Sequence, residues 1–377
     1  MKFNTYLQRS ILFFTLSTTL GFYANAEAPL RGFGQVGYTA SDSDNNGETD
    51  NANQFYNGAL DLFISTNISK KVTFLSEVAF EMDSSNSTVT DIERLMAQYT
   101  VSPWLKVAAG RFHTALGYWN DNYHHGSWLH ASADRPLVYH FEDDNGILPV
   151  HAEGIEVRGE GDMGPGQLGY IFNVANGRGA EIDPPQVVND GDHSKAMNLL
   201  VYYSLPNHLR VGAVYYTDNL PGCRYDLLDA NQACGFTQTS GAGMKNKGAE
   251  SIYGIHAVYN PEAYEVLVEY FNMSHDYDTE NTTATADADV TAGYVQFAYH
   301  MGDLTPYYRY DMIEVPSKKT DAYTGLDGTK VGHTVGARYD LDATNALKLE
   351  YYTQNLEHAD KTKDTWKSAT ANWSFTF

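Results

Sequence analysis

Ser368-Ala369-Thr370-Ala371-Asn372-Trp373-Ser374-Phe375-Thr376-Phe377 ends the chain in strict two-residue alternation. In an extended segment Ala369, Ala371, Trp373, Phe375 and Phe377 share one face, and Ser368, Thr370, Asn372, Ser374 and Thr376 share the other. An apolar, aromatic-rich face opposite hydroxyls and amides suits a strand with lipid on one side and water on the other. Residues 71–83 repeat the pattern, with Val72, Phe74, Val78 and Phe80 opposite Glu77 and Glu81.

Working outward, sixteen segments alternate in this way: 30–40, 55–66, 71–83, 89–101, 104–111, 151–160, 166–175, 195–205, 208–217, 248–259, 262–273, 290–300, 303–314, 330–340, 345–357 and 364–377. Tight turns such as Ser102-Pro103, Pro206-Asn207 and Asn260-Pro261 alternate with longer connections. The expected fold is all-β: a transmembrane antiparallel barrel of about sixteen strands, with short turns at one rim and long loops at the other. Trp104, Tyr259, Tyr299, Tyr339 and Trp373, near strand ends, fit aromatic girdles. Lys2 and Arg9, the apolar run Ile11 to Phe22 and the small-residue site Ala24-Asn25-Ala26 read as a signal peptide over 1–26, leaving 27–377 as the exported barrel. Its removal takes the net charge from −22 to −24, which argues against nucleic acid as a partner. No later apolar run is long enough for a spanning helix.

One stretch breaks the alternation. Residues 112–150 form a long insert with six large aromatics from Tyr118 to Phe141, and six of the chain's thirteen histidines lie between Arg111 and His151. An aromatic loop of this length would expose costly apolar surface in water, whereas a sixteen-stranded barrel leaves an interior that strand side chains cannot fill. We therefore expect the insert to fold inward and constrict the pore. Its candidate constriction residues are His113, Tyr118, Trp119, Asp121, His124, His125, Trp128, His130, Arg135, Glu142, Asp143 and Asp144. Strand phase adds Glu77, Arg94, Lys106, Arg158, Arg210, Glu269, Arg309 and Arg338 as pore-lining residues, with wall ion pairs as the plainer role for most of them.

The signal peptide, the sixteen-segment pattern and the C-terminal Phe377 together resemble a Gram-negative outer-membrane porin. Val107 to Gly117, VAAGRFHTALG, is similar to a segment of phosphate-selective porins in which a strand end leads into an inserted loop. The resemblance implies a cell outer-membrane location, contact with the bilayer and lipopolysaccharide, a homotrimer as a candidate assembly, and passive passage of small hydrophilic solutes or ions. The insert departs from the phosphate-selective pattern in carrying only Arg135 as a fixed positive charge, so a cation or neutral-solute bias is expected. A channel specific for a sugar, stacked on Tyr118, Trp119, Tyr123 and Trp128, or for an anion such as phosphate is the alternative.

The remaining features are local. Cys223 and Cys234, the only cysteines, fall in one loop of an exported chain and are expected to form a disulfide. Asp42 to Gly47 copies the start of a calcium loop, but Asn53 stands where a bidentate Glu is needed, leaving a solvated acidic loop. Protonating the five histidines of the insert would move its formal charge from −4 to +1. His124, His125 and His130 could instead hold a metal, and an outer-membrane enzyme or metal receptor is a further alternative. No catalytic motif of the G-x-S-x-G or H-E-x-x-H type is present, so neither an enzyme nor a cofactor is expected.

Overall fold

The computed structural model describes residues 30–45, 48–82, 88–124, 126–140, 147–177, 194–220, 248–277, 288–315, 328–358 and 361–377. The signal segment, His125, Glu142, Asp143, Asp144, Cys223 and Cys234 lie outside the described residues. The first strands are β1 (Leu30–Asn45), β2 (Glu48–Asn67), β3 (Val72–Met82), β4 (Thr88–Ser102) and β5 (Leu105–His113). After the insert come β6 (His151–Met163), β7 (Gly166–Asn176), β8 (Ala196–Ser204), β9 (Leu209–Leu220), β10 (Gly248–Tyr259) and β11 (Tyr264–Tyr277). The last are β12 (Ala288–Tyr299), β13 (Leu304–Val315), β14 (Gly328–Asp342), β15 (Asn345–Glu357) and β16 (Lys363–Thr376).

Every strand pairs antiparallel with its neighbours in sequence, and β1 pairs with β16 from Phe33↔Thr376 to Asp44↔Thr365, closing the barrel. Phe377 clamps the seam: its N–H donates to the Gly32 carbonyl at 2.9 Å, and Gly32 N–H donates back at 3.1 Å. Closure leaves no exposed edge. The tight turns rely on backbone freedom where the chain reverses, as at Gly302, whose φ of +66° lies in the left-handed region that glycine enters without strain.

The alternation read from the sequence is realised along the outer surface. Val36, Tyr38, Ile92, Leu199, Val295 and Leu349 are all exposed, on outward faces. Surface of this kind, continuous around a barrel, is unfavourable in water and suits lipid. Among the described residues no helix is long and apolar enough to cross a membrane.

The main departure from the expected strand bounds is the first hairpin, where β1 runs to Asn45 and β2 begins at Glu48, paired in one register from Val36↔Asn57 to Asn45↔Glu48. Asp42, opposite Asn51 and Lys367, is therefore part of a ladder, which corrects the reading of a solvated acidic loop for residues 42–45, while Asn46 and Gly47 lie outside the described residues. Beyond the apolar band both faces meet water, and a polar sequence can pair there without any hydrophobic period.

Candidate functional site

The inner surface of the barrel has two unlike halves. Over β8–β13 the inward positions are largely apolar: Leu200, Val214, Ile252, Leu267, Phe271 and Ile313 are all buried. Over β14–β16 and β1–β2 they are polar, with Thr334, Ser368, Thr370, Asn372, Thr39, Ser41 and Gln54. An apolar inner wall needs a cover, and the insert supplies it. Its Leu116, Trp119, Leu137, Tyr139, Ile147 and Leu148 join the wall residues in one packed cluster.

Among its described residues the insert is short of regular structure, with a helical turn, α1 (Tyr118–Asn122), and a 3-10 turn at Leu137–Tyr139. Its backbone polar groups must therefore find partners elsewhere. Charged side chains of the wall provide them. Glu269 of β11 accepts from Tyr118 N–H (2.8 Å) and Trp119 N–H (2.9 Å), Asp311 of β13 from Leu137 N–H (3.0 Å), and Glu350 of β15 from Ala133 N–H (2.9 Å). Cations hold the carbonyls: Arg309 donates to Asp134 and Arg135, Arg338 to Trp128 and His130, and Lys348 to Ser127 and Ser132. Buried charges with several hydrogen bonds apiece fix position strongly.

This placement changes several roles expected from the sequence. Glu269 and Arg309 face inward at 1% and 2% exposure and hold the insert, and Arg309 also borders the cavity beside it. Trp119 is 1% exposed and packs on Tyr123 and Tyr294, so no ring face is left for a sugar. Trp128 lies under the Arg338 guanidinium at 5.7 Å. Other inward charges form wall pairs: Arg94 with Glu77, Arg158 with Glu156 at 2.5 Å, and Arg338 with Asp340 at 2.8 Å. Asp121 of α1 lies 3.5 Å from Arg158 and 3.9 Å from Arg210, and Arg210 stacks 3.7 Å over Tyr202. Lys106 is half-buried on β5.

The histidines divide. His140 is half-buried, with Nε2 3.0 Å from the Arg135 carbonyl and 3.5 Å from the Asp134 carboxylate. His130 is buried against Trp119, with Nδ1 3.1 Å from Ser132 Oγ, away from His124. Burial pushes the His130 imidazole well below the usual histidine range, and Lys348, Arg309, Arg338 and Arg135 push it the same way. It therefore stays neutral where an exposed histidine titrates, and the full swing from −4 to +1 is not available. Because the unfolded ring takes up a proton near pH ~6.5, stability linked to His130 is complete above that pH and is lost as pH falls toward the folded value. His130→Gln should reduce the acid-side loss of thermal stability between pH ~7 and ~5; equal losses in both proteins would assign the acid sensitivity to other groups.

Between insert and polar wall a cavity of ≈ 470 Å³ remains. Asp134, Leu137 and His140 border it from the insert, and Thr39, Ser41, Gln54, Lys330, Trp366, Ser368 and Thr370 border it from the strands. Asp134, one of the five acidic residues of the insert, has a side chain 61% exposed here.

Similar folds occur among solved structures. The outer membrane channel DcaP of Acinetobacter baumannii matches with a TM-score of 0.64 at 12% identity, covering 95% of this chain and 99% of that one. An anion-selective porin from Comamonas acidovorans matches at 0.59 and 12%, covering 94% and 100%. OmpT, an outer membrane protein of Vibrio cholerae in trimer form, matches at 0.55 and 13%, covering 92% and 99%. No protein-family model and no curated protein sequence matches the chain. With sixteen strands, closure of β1 on β16 and superposition over more than nine-tenths of its length, the chain has the fold of the Gram-negative outer-membrane porins.

Proposed function

We propose that the chain is an outer-membrane channel for passive diffusion of small hydrophilic solutes, biased toward cations and neutral solutes, and not an enzyme. The observation that carries this reading is the division of the lumen. The insert covers the apolar half, and the cavity left beside it is walled by hydroxyl and amide groups together with charges of both signs: Asp134, whose carboxylate is exposed, and Glu350 against Lys330 and the buried Arg309. Polar walls that replace part of a solute's hydration without binding it tightly favour passage. The net charge of −22 adds a field of the same sign as Asp134. The outward apolar band supports a barrel in contact with outer-membrane lipid and lipopolysaccharide, and the trimer form of the OmpT neighbour makes a homotrimer the natural assembly to test.

Planar-bilayer recording with the purified protein tests the reading. Linear, unsaturated conductance with a cation-favouring reversal potential in a salt gradient is expected. Saturable block by one sugar or by phosphate would replace it with a substrate-specific channel. Asp134→Lys should move the reversal potential toward anion preference, because the side chain is exposed while its backbone stays held by Arg309. An unmoved potential would take Asp134 out of the conducting path.

A further inference from the structure

Four side chains unused by the pore meet where the insert leaves the barrel wall. Glu93 of β4, His113 at the end of β5, His124 of the insert and His151 at the start of β6 are all buried. One donor atom from each lies within 4.8 Å of those of the others. A Glu93 carboxylate oxygen is 2.7 Å from His151 Nε2 and 3.3 Å from His124 Nε2. The rings of His113 and His124 stack at 3.6 Å, and His151 stands edge-on to His124 at 4.7 Å.

Local irregularities assemble the cluster. In the β3–β4 ladder Arg94 pairs with Glu77 and Ile92 with Val78, so Glu93 is an extra residue in a bulge. It is 0% exposed, while Ile92 and Leu95 on either side are exposed on the outer face. Bulges re-aim a side chain in this way, often beside a functional site. His124 takes a φ of +37°, in the left-handed region that a side chain with a Cβ seldom adopts.

The hydrogen bonds around His124 fix its tautomer. Asn120 Nδ2 donates to the carbonyls of Thr114 (2.8 Å) and Val150 (2.9 Å), which can only accept. Asn120 Oδ1 is thus the atom 2.8 Å from His124 Nδ1, and Nδ1 must carry the proton. In the neutral ring the Nε2 lone pair then points at the Glu93 carboxylate, an arrangement that calls for positive charge between them. His113 Nε2 is also buried with no hydrogen-bond partner.

We propose that Glu93, His113, His124 and His151 bind a divalent transition-metal ion of the zinc class. Three imidazole nitrogens and one carboxylate oxygen suit zinc, cobalt, nickel or copper and not calcium or magnesium, which take oxygen ligands. Tetrahedral bonds of about 2.0–2.1 Å set donor atoms roughly 3.3 Å apart, so small side-chain shifts would close the widest separation. Four protein ligands and burial leave no open position for substrate, so the site is structural. It ties three strands to the first turn of the insert, through His124 as ligand and Asn120 as the group that orients it.

The test uses full-length protein purified in detergent, stripped with a chelator, then titrated with Co²⁺ and Zn²⁺. One equivalent of cobalt per chain with the intense visible bands of tetrahedral coordination, displaced by zinc, is expected. Asn120→Ala should lower affinity about 10- to 100-fold, as loss of an orienting partner does at other metal sites. His124→Gln should abolish binding, His113→Gln should do the same if the first variant fails to insert, and His140→Gln should leave it intact. Absence of tetrahedral cobalt bands in the folded barrel would overturn the site, leaving a proton shared among the four groups. Stoichiometric binding that survives in folded His124→Gln and His113→Gln would also overturn it, as an adventitious ion only.

Discussion

Glu269→Ala is expected to free the first half of the insert from the wall and to raise single-channel conductance in a barrel that still folds. The carboxylate is 1% exposed and accepts four hydrogen bonds: from Tyr118 N–H and Trp119 N–H, from Tyr139 Oη at 3.1 Å and from Tyr294 Oη at 2.7 Å. Alanine leaves all four donors buried without that acceptor. Each buried donor left unsatisfied costs about 1–3 kcal/mol, and with water reaching some of the four the loss comes to about 3–5 kcal/mol. Each 1.4 kcal/mol is about tenfold, so the ratio of docked to undocked insert should fall on the order of 10²- to 10³-fold. Glutamine is no conservative replacement, since its amide nitrogen would face donors where only acceptors are useful. Gly117→Ala probes the same contact from the insert, because a Cβ there would come within 2.1 Å of a Glu269 carboxylate oxygen. Conductance is measured in planar bilayers on protein whose folding is checked by circular dichroism. Wild-type conductance in folded Glu269→Ala would show that the insert does not limit flow.

The barrel was legible because lipid imposes a rule that sequence records directly. In residues 368–377 every second side chain is apolar, 71–83 keep the pattern except at Ser76, and all sixteen expected segments are strands. The extensions of β1 over 41–45 and of β2 over 48–54 escaped that reading because beyond the lipid no such rule applies, and Asp, Ser and Asn read as loop formers. The inward fold of the insert could be argued from its aromatics, but the side of the lumen it takes could not. A usable signal existed in apolar neighbours such as Leu199-Leu200 and Leu267-Val268, which put apolar groups on both faces of a strand and so demand a second cover. Inward phase assigns Glu269 and Arg309 to the lumen side, but phase cannot tell a residue facing water from one facing a docked loop, and both are buried against the insert. Glu93 was invisible for a different reason: strict alternation puts either Glu93 or Arg94 inside, and only a bulge brings Glu93 to the histidines.

Arg309→Met should change selectivity more than it changes conductance. Asp311 Oδ2 receives Arg309 Nε at 3.0 Å, while the two terminal nitrogens of Arg309 reach the Asp134 and Arg135 carbonyls, each at 3.0 Å. Asp311 Oδ1 takes the Leu137 N–H at 3.0 Å. Two residues of β13 therefore grip insert residues 134–137 by carbonyl and amide together, and this is the segment that presents Asp134 and His140 to the cavity. A guanidinium can serve three acceptors in one plane, which lysine cannot, so Arg309→Lys should fall between wild type and Arg309→Met. With methionine the buried Asp311 loses its cation, at about 3–5 kcal/mol, and the 134–140 segment loses its register on the wall. Glu269 still holds the start of the insert, so the rise in conductance should be smaller than in Glu269→Ala while the cation preference falls. Arg309→Met/Asp311→Leu separates the two effects: without a stranded carboxylate, thermal stability should return toward wild type, but the altered reversal potential should persist because the grip on residues 134–137 is still missing. A folded Arg309→Met protein with the wild-type reversal potential would mean that Asp134 is positioned by something other than β13.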